Sequence, residues 1–303
     1  MRRLQPKSAM TGAALACVAL LVGGCAQGWS APPTEPAPEA TVVVPQAPLP
    51  ELPAAPPASF AELDGRLQEA TVDAAASGAN IAVVVLDRIT GQRVSNGNNS
   101  PFPIASVVKL FIADDVLLQE AEGKTKLSPA DRQSLDIMLR SSDDSAAQMF
   151  WDRNGGNAII GRIKARYGLG GTTAPYNGHW DVTQSTAADL VRYYEMLLNG
   201  SGGLPREQAD VIINNLAAFT PTGNDGYPQR FGIPDGLPGE KVAVKQGWFC
   251  CWNPGSQLHV STGVIGPDRR YVMAIGALDP TTDAAARANI TQAVKAMFPG
   301  GRI

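Results

Sequence analysis

The chain is poor in the residues that most often build metal centres and charge-relay triads. It has two histidines, His179 and His259, and four cysteines among 303 residues. A zinc site or a disulfide framework needs several such side chains at close spacing, and no spaced cysteine pair is present. Neither histidine occurs in a recognisable triad context, and no G-x-S-x-G motif is found. The composition therefore predicts neither a metal nor a cofactor.

Positive charge is also scarce. The formal net charge is −3, and three of the 25 basic residues, Arg2, Arg3 and Lys7, precede Cys25, whereas no acidic residue does. The chain after Cys25 is therefore more acidic than the whole. This balance excludes nucleic acid as a partner, because nucleic-acid binding needs a basic surface. It also argues against attachment to a membrane through a polybasic segment.

Long hydrophobic runs are missing as well. Ala13 to Val22 is apolar but shorter than the roughly 20 residues needed to span a bilayer, and the basic residues before it predict a secretory signal over residues 1–24. Val22-Gly23-Gly24-Cys25 resembles the lipobox of bacterial lipoproteins, which implies a palmitate-type lipid on Cys25. The alternative is an ordinary signal with a chance cysteine. We expect an extracytoplasmic protein, anchored by lipid to the outer face of the cytoplasmic membrane.

The next segment, residues 25–58, is dominated by Pro, Ala and acidic residues from Ser30 to Pro57. Such a composition cannot bury enough apolar surface to fold, and it favours an extended tether or a simple spacer. The folded domain is predicted over residues 59–303, where Ser59-Phe60-Ala61-Glu62 has the pattern of a helix capping box.

Hydrophobic periodicity within this domain predicts helices and strands in a definite order. Two strands, Ile81 to Leu86 and one around Arg93 and Val94, follow the first helix. A mostly helical block extends from Ser106 to Thr220. The chain then has three strands and a final helix, predicted at Val242 to Lys245, Leu258 to Ile265, Tyr271 to Leu278 and Ala284 to Met297. This order is best explained by an antiparallel sheet built from both ends of the chain, with a helical insertion.

Ser106-Val107-Val108-Lys109 begins the helical block. Residues three apart share a helix face, so the Lys109 amine can lie beside the Ser106 hydroxyl. A serine needs such a base to attack a carbonyl, and a helix N-terminus favours the developing oxyanion. On its own, this pattern is more commonly explained by a capping serine followed by a surface lysine.

Two further segments, Ser142-Asp143-Asp144 and Lys245-Gln246-Gly247, follow in the order of a three-part signature. With Ser106 and Lys109 they resemble the S-x-x-K, S-D-N and K-T-G motifs of class A β-lactamases and penicillin-binding proteins. The resemblance extends over about Phe60 to Pro299. It implies an α/β fold of the α+β type, in which an all-helical subdomain is inserted into the antiparallel sheet of a serine β-lactamase or transpeptidase.

The same resemblance implies a role for each matching residue. Ser106 would be the nucleophile, Lys109 its base, Ser142 a proton relay to the leaving nitrogen, and Lys245 the amine across the cleft. The backbone N–H groups of Ser106 and Trp248 would form the oxyanion hole. Substrate contacts would come from four residues: Asp144, Gln246, Gly247 and Trp248. The implied ligand is a β-lactam or a peptidoglycan-type peptide.

Three departures from the family pattern affect the expected turnover. Asp144 replaces an asparagine, so a carboxylate that cannot donate a hydrogen bond stands where an amide is expected, and it would favour protonated Lys109. Gln246 replaces a hydroxyl residue. The loop from Leu169 to Val182 is short and contains no glutamate to activate the deacylating water, its only acid being Asp181. We therefore expect slow release of an acyl group, or an inactive protein that binds a cell-wall peptide or a protein partner.

Two features near the third motif have alternative interpretations. Cys250 and Cys251 are adjacent, and Cα atoms about 3.8 Å apart across a trans peptide are too close for an unstrained disulfide. We expect free thiols packed under the strand end, and the alternative is a strained bridge between the two that makes the cleft rim redox-sensitive. Four aromatic residues could line a substrate groove, although packing is the commoner role for such side chains: Trp180, Tyr227, Trp248 and Trp252.

Overall fold

The computed structural model describes residues 60–253 and 255–303. Cys25, the predicted signal and the predicted tether lie outside these residues. Among the described helices, none is long and apolar enough to cross a membrane.

The N-terminal part of this region contributes one helix and two strands. A short 3-10 turn, Phe60–Glu62, leads into helix α1, Leu63–Ala76. The α-helix therefore begins at Leu63, and its Glu62 cap makes no side-chain hydrogen bond. Ser59, from which the capping box was predicted, lies outside the described residues. Strands β1, Asn80–Asp87, and β2, Arg93–Ser95, confirm the two predicted strands.

The middle of the chain is the predicted helical block. Its long helices are α2, Lys109–Ala121; α3, Pro129–Arg140; α4, Asp144–Arg153; α5, Asn157–Tyr167; α6, Ala187–Asn199; and α7, Arg206–Ala217. Helix α3 begins with the full capping box of Ser128 and Asp131, and α6 ends at Gly200 in the left-handed conformation. A two-residue pairing of β3, Phe102–Pro103, with β4, Gln184–Ser185, was not predicted.

The C-terminal part completes the sheet. Helix α8, Ile233–Gly236, precedes three long strands and a last helix: β5, Val242–Trp252; β6, Ser256–Ile265; β7, Tyr271–Asp279; and α9, Asp283–Met297. The strand order is β2-β1-β7-β6-β5, and every pairing is antiparallel. The prediction of one antiparallel sheet from both chain ends, with helices inserted, is therefore confirmed.

Alternation along β1 divides the core between the two faces of this sheet. Ile81, Val83 and Val85 pack with α1 and α9 on one face, whereas Val84 and Leu86 pack with the inserted helices on the other. Successive side chains of a strand point to opposite faces, and burying each such aliphatic side chain contributes about 1.5–3 kcal/mol. The inserted helices are thereby packed against one face of the sheet.

Helix α2, which carries Lys109, is also held by a buried polar cluster. Asp114 is fully buried and accepts hydrogen bonds from Arg166, Tyr167 and Tyr193. Burial raises the pKa of Asp114 to about 6, against the opposing effect of the Arg166 guanidinium. A buried carboxylate with three directional donors fixes both the position and the rotation of α2.

Candidate active site

The segment before α2 places Ser106 at the junction of the helical block and the sheet. Ser106 lies in a 3-10 helix, Ala105–Val108, that continues directly into α2. Ile104 N–H donates to the Thr183 carbonyl at 2.9 Å, and Val107 and Val108 are fully buried. Ala105 has φ of +45°, a conformation that L-residues seldom adopt. The Ser106 hydroxyl is thereby held on a rigid turn, with 7% of the residue exposed.

The Lys109 amine is the centre of the site. Its Nζ lies 2.8 Å from Ser106 Oγ and 2.6 Å from Asp144 Oδ1. It also lies 2.7 Å from the Ser142 carbonyl oxygen and 3.2 Å from Ser142 Oγ. The side chain is wholly buried, and the pairing with Ser106 is the one expected for residues three apart at a helix start.

Ser142 connects the two lysines. Lys245 Nζ lies 2.9 Å from Ser142 Oγ, so this hydroxyl stands between the amines of Lys109 and Lys245. Ser142 has φ of +58°, and this backbone conformation accompanies a carbonyl directed at Lys109. All four residues for which the family resemblance implies catalytic roles thus lie in one continuous chain of contacts.

Burial shifts the pKa of both lysine amines in the same direction. It lowers the pKa of Lys109, and the Asp144 carboxylate opposes this effect. Burial lowers the pKa of Lys245 well below its usual value, and the charge of Lys109 adds to this decrease. A neutral amine is the form that can accept a proton from serine, so the surroundings of both lysines favour a base, and Asp144 counteracts this at Lys109.

The two adjacent carboxylates at the start of α4 have separate roles. Asp143 is buried and caps the helix, since its side chain accepts from the Ala146 N–H at 2.7 Å. Asp144 points the other way, with 66% of its side chain exposed, and forms the ion pair with Lys109. The predicted proximity of Asp144 to Lys109, and the better fit of Asp143 as a helix cap, are both observed.

Strand β5 passes close to the segment before Ser106 at Gly247. A Cβ built there would lie 2.5 Å from the Ile104 carbonyl oxygen and 3.2 Å from Ala105 Cβ, so only glycine permits this approach. The neighbouring Gln246 is buried and donates through Nε2 to the carbonyls of Gln229 and Phe231. The sequence predicted a substrate contact for Gln246. In the structure its amide donates to backbone carbonyls instead. Alternate residues of a strand face opposite sides of the sheet, and Lys245 is the one that faces the cleft.

A cleft of 280 Å³ opens above Ser106. Eight residues line it: Ala105, Ser106, Asp144, Trp180, Asp181, Asp225, Trp248 and Phe249. Asp225 and Phe249 were not singled out from the sequence. Asp225 is in an irregular turn after the helical block, where no motif spacing marks it. Phe249 follows Trp248 at the end of the third motif.

The aromatic residues divide between the two interpretations left open by the sequence. Trp180 and Trp248 line the cleft, and Trp180 Nε1 donates to Gln148 Oε1 at 3.2 Å. Tyr227 stacks behind Trp248 at a centroid distance of 4.7 Å, and Trp252 packs edge-on against Phe249. Trp180 and Trp248 therefore line the groove, whereas Tyr227 and Trp252 pack against other aromatic side chains.

A polar network supports Tyr227 from behind. Its hydroxyl donates to Asp283 and lies 2.6 Å from His259 Nε2. Burial lowers the pKa of His259 to about 4, so its imidazole is neutral near pH 7. His259 therefore supports the aromatic wall of the cleft and makes no contact with Ser106. Within residues 60–253 and 255–303, no group of three or more metal-ligating side chains converges.

The expectation of free thiols at the cleft rim is wrong. Cys250 and Cys251 are joined by a disulfide, and both residues are exposed at the end of β5. The peptide bond between them is cis.

This fold and this site define the class of protein. The chain matches the Beta-lactamase enzyme family over residues 62–130 and 131–298, and it belongs to that family. The resemblance predicted from the three motifs is thereby confirmed.

Individual relatives agree with this assignment. The chain is 61% identical over 255 residues to proteins named "Putative lipoprotein LppW" from Mycobacterium tuberculosis and Mycobacterium bovis, covering 84% of this chain and 81% of theirs. A class A β-lactamase from Mycobacterium abscessus superposes with a TM-score of 0.60 at 22% identity, covering 77% of this chain and 97% of that one. A point mutant of PBP-A, solved as an acyl-enzyme complex with penicillin G, gives 0.64 at 19% identity, covering 80% and 97%. These two structures confirm the fold.

The close approach at Gly247 generates the first prediction. Gly247→Ala should lower the free energy of unfolding by about 1–3 kcal/mol, because the new methyl group overlaps the Ile104 carbonyl. Thermal denaturation measures the effect. Gly65→Ala on α1, where a methyl group meets nothing within 4 Å, is the matched control. Wild-type stability in Gly247→Ala would contradict the interpretation.

Proposed function

We propose that this protein is an envelope-anchored serine hydrolase that forms an acyl-enzyme on Ser106 with β-lactams or peptidoglycan-type peptides. The observation that supports this most directly is the unbroken series of contacts from Ser106 Oγ to Lys109 Nζ, Ser142 Oγ and Lys245 Nζ, at 2.8, 3.2 and 2.9 Å. These distances allow a proton to pass along hydrogen bonds from the nucleophile to the position of the leaving group.

In the proposed acylation, neutral Lys109 removes the proton from Ser106 as Oγ bonds to the substrate carbonyl carbon. The carbonyl oxygen becomes an oxyanion, which the backbone N–H groups of Ser106 and Trp248 would stabilise. Collapse of this intermediate breaks the bond from carbon to the leaving nitrogen. That nitrogen receives a proton through Ser142, and Lys109 supplies the proton that Ser142 gives up.

Release of the acyl group is proposed to be slow. Hydrolysis of an acyl-enzyme needs a base to activate water. The loop over Leu169 to Val182 contains a single carboxylate, Asp181, which lies in the cleft on the 3-10 helix Trp180–Val182. Among the described residues, no hydrogen-bonding neighbour holds the Asp181 carboxylate in position to activate water.

The proposal is tested by covalent labelling. Purified full-length protein, incubated with penicillin G, should gain the mass of one intact penicillin by mass spectrometry, and the label should map to Ser106. Ser106→Ala should remain folded and unlabelled. Absence of an adduct on the folded wild-type protein at millimolar penicillin over hours would refute acylation by β-lactams.

A second function is supported by the ion pair between Lys109 and Asp144. At 2.6 Å, this pair favours the ammonium form of Lys109, which cannot act as a base. If that effect prevails over burial, the protein binds a cell-wall peptide or a protein partner in the same cleft without turnover. The balance between the two functions therefore depends on Asp144.

Asp144→Asn should raise the rate of Ser106 acylation by roughly tenfold, which corresponds to about 1.4 kcal/mol in the barrier. Loss of the carboxylate lowers the pKa of Lys109 further, and the new amide can donate to a substrate carbonyl. The acidic limb of the rate profile should consequently shift to lower pH. Asp152→Asn, also on α4 but exposed and paired with Gln148, is the control and should leave the rate unchanged. Identical kinetics in Asp144→Asn and wild type would show that Asp144 does not limit the site.

We also propose that the protein is anchored through Cys25, on the outer face of the cytoplasmic membrane. The support is the lipobox-like sequence before Cys25 and the relatives named as lipoproteins. In cells given an alkyne fatty acid, the wild-type protein should be labelled and found with membranes, and Cys25→Ser should be unlabelled. An unlabelled wild-type protein would exclude the anchor.

A further inference from the structure

We infer that Tyr227 is a positioning residue, which fixes the indole of Trp248 and thereby holds the backbone N–H of Trp248 in place in the cleft that contains Ser106. The inference rests on the proposed acyl-enzyme function, in which this N–H stabilises the oxyanion, and it adds a residue that belongs to none of the three motifs. Tyr227 is not among the eight residues that line the cleft, so it would act through Trp248 rather than on a ligand.

Trp248 lies on a strand that the sheet supports from one side. Within the described residues, β5 ends the order β2-β1-β7-β6-β5 and pairs with β6 alone. An edge strand has one row of backbone groups without a partner in the sheet. Gly247, just before Trp248, has no side chain to hold the strand, and Phe249 after it leads to the exposed end at Cys250. The position of the Trp248 backbone therefore depends on how its indole is held.

The Trp248 indole is held by a face-to-face stack with Tyr227. The two ring centroids are 4.7 Å apart, with 9° between the ring planes. Phe231 packs at 87° to the indole, at a centroid distance of 6.5 Å, and Asp225 Oδ2 accepts from the indole Nε1 at 3.2 Å. Asp225 Oδ1 also accepts from the Tyr227 backbone N–H, at 2.9 Å. One carboxylate thus ties the two stacked residues together, and stacked rings stabilise each other beyond the area that they bury.

The Tyr227 ring is itself fixed by its hydroxyl. The hydroxyl donates to Asp283 and lies 2.6 Å from His259 Nε2, and Arg287 Cζ lies 4.9 Å from the ring centroid. His259 is directly opposite Trp248 in the β5–β6 pair, and opposite residues share one face of a sheet. Tyr227 therefore contacts both members of this cross-strand pair, the indole with its ring and the imidazole with its hydroxyl. Asp283 and Arg287 connect the pair to α9.

Small displacements of an oxyanion donor have large effects on rate. Removal of one such donor commonly costs about 100- to 1,000-fold, and a misplacement of about 1 Å can cost about 100-fold. Without the stack, the contacts of Trp248 with Asp225 and Phe231 remain, so its backbone would be loosened rather than displaced outright. We therefore expect an effect on the order of 10-fold, and we expect it in the acylation step rather than in the binding of the ligand.

The test replaces Tyr227 in the full-length protein, kept in a neutral detergent. Labelling of Ser106 by penicillin G, followed by intact mass over a range of concentrations, gives the dissociation constant and the rate constant of acylation separately. Tyr227→Leu removes the stack and the hydroxyl, and its rate constant should fall about 10-fold, with the dissociation constant within about 2-fold of the wild type. Tyr227→Phe keeps the stack but loses the hydrogen bonds to Asp283 and His259, and its rate constant should fall only about 3-fold.

Tyr271→Leu is the matched control. Tyr271 stacks on Phe60 at a centroid distance of 5.7 Å and is outside the cleft, so its replacement should lower stability without slowing acylation. Hydrogen exchange, measured by mass spectrometry on the peptide that contains Trp248, reports on the strand itself. Exchange there should be faster in Tyr227→Leu than in the wild type and unchanged in Tyr271→Leu.

The outcomes separate the role of Tyr227 from the proposed function. A wild-type rate constant in Tyr227→Leu, or a change confined to the dissociation constant, overturns the inference. Slow acylation with unchanged exchange around Trp248 also overturns it, because Tyr227 would then not act through Trp248. If Tyr227→Leu does not fold, the same comparisons are made with Tyr227→Phe.

If penicillin G does not label even the wild-type protein, acylation by β-lactams fails, and hydrogen exchange alone decides the positioning role. Faster exchange around Trp248 in Tyr227→Leu supports that role, and equal exchange in the variant and the wild type refutes it.

Discussion

The burial of the Lys109 amine is the constraint on which the candidate site depends. Four oxygen atoms from Ser106, Ser142 and Asp144 surround one Nζ that has no contact with solvent. An ammonium has three protons to donate and a neutral amine has two, so Nζ cannot donate a separate hydrogen bond to each of the four oxygens. Burial favours the neutral form and Asp144 favours the charged form, and the chemistry of Ser106 follows whichever prevails. In the proposed mechanism, the spacing of Ser106 and Lys109 gives the serine its base, and Asp144 determines how much of that base is neutral.

The surrounding fold serves to hold this amine in place from several directions. The buried Asp114 cluster fixes the rotation of α2, and the β3–β4 pairing fixes the chain entering it. Gly247 then lets β5 approach the nucleophile segment to a distance that no other residue would allow. The left-handed Ala105 and Ser142 are compatible with these restraints, because a residue in a sparsely populated conformation persists only when its surroundings over-determine it.

Much of this arrangement could be predicted from the sequence. Strands β1, β6 and β7 and helix α9 were predicted within two residues, because hydrophobic periodicity is a local signal. The motif residues Ser106, Lys109, Ser142 and Lys245 could be named because their spacing is characteristic. The side-chain direction of Gln246 and the position of Asp225 could not, since both depend on how β5 and an irregular turn pack in three dimensions. The pairing of Cys250 with Cys251 could not be predicted either, because two adjacent cysteines read the same in the sequence whether they are free or bonded.

Asp144 connects the strength of the base with the cleft above it. Its carboxylate binds Lys109 at the floor of the cleft, while most of the side chain is exposed in the cleft itself. Any ligand group that competes with Lys109 for this carboxylate weakens the interaction that keeps Lys109 protonated, and burial then lowers the pKa of Lys109 without opposition. The protonation of the candidate base therefore depends on what occupies the cleft beside Asp144.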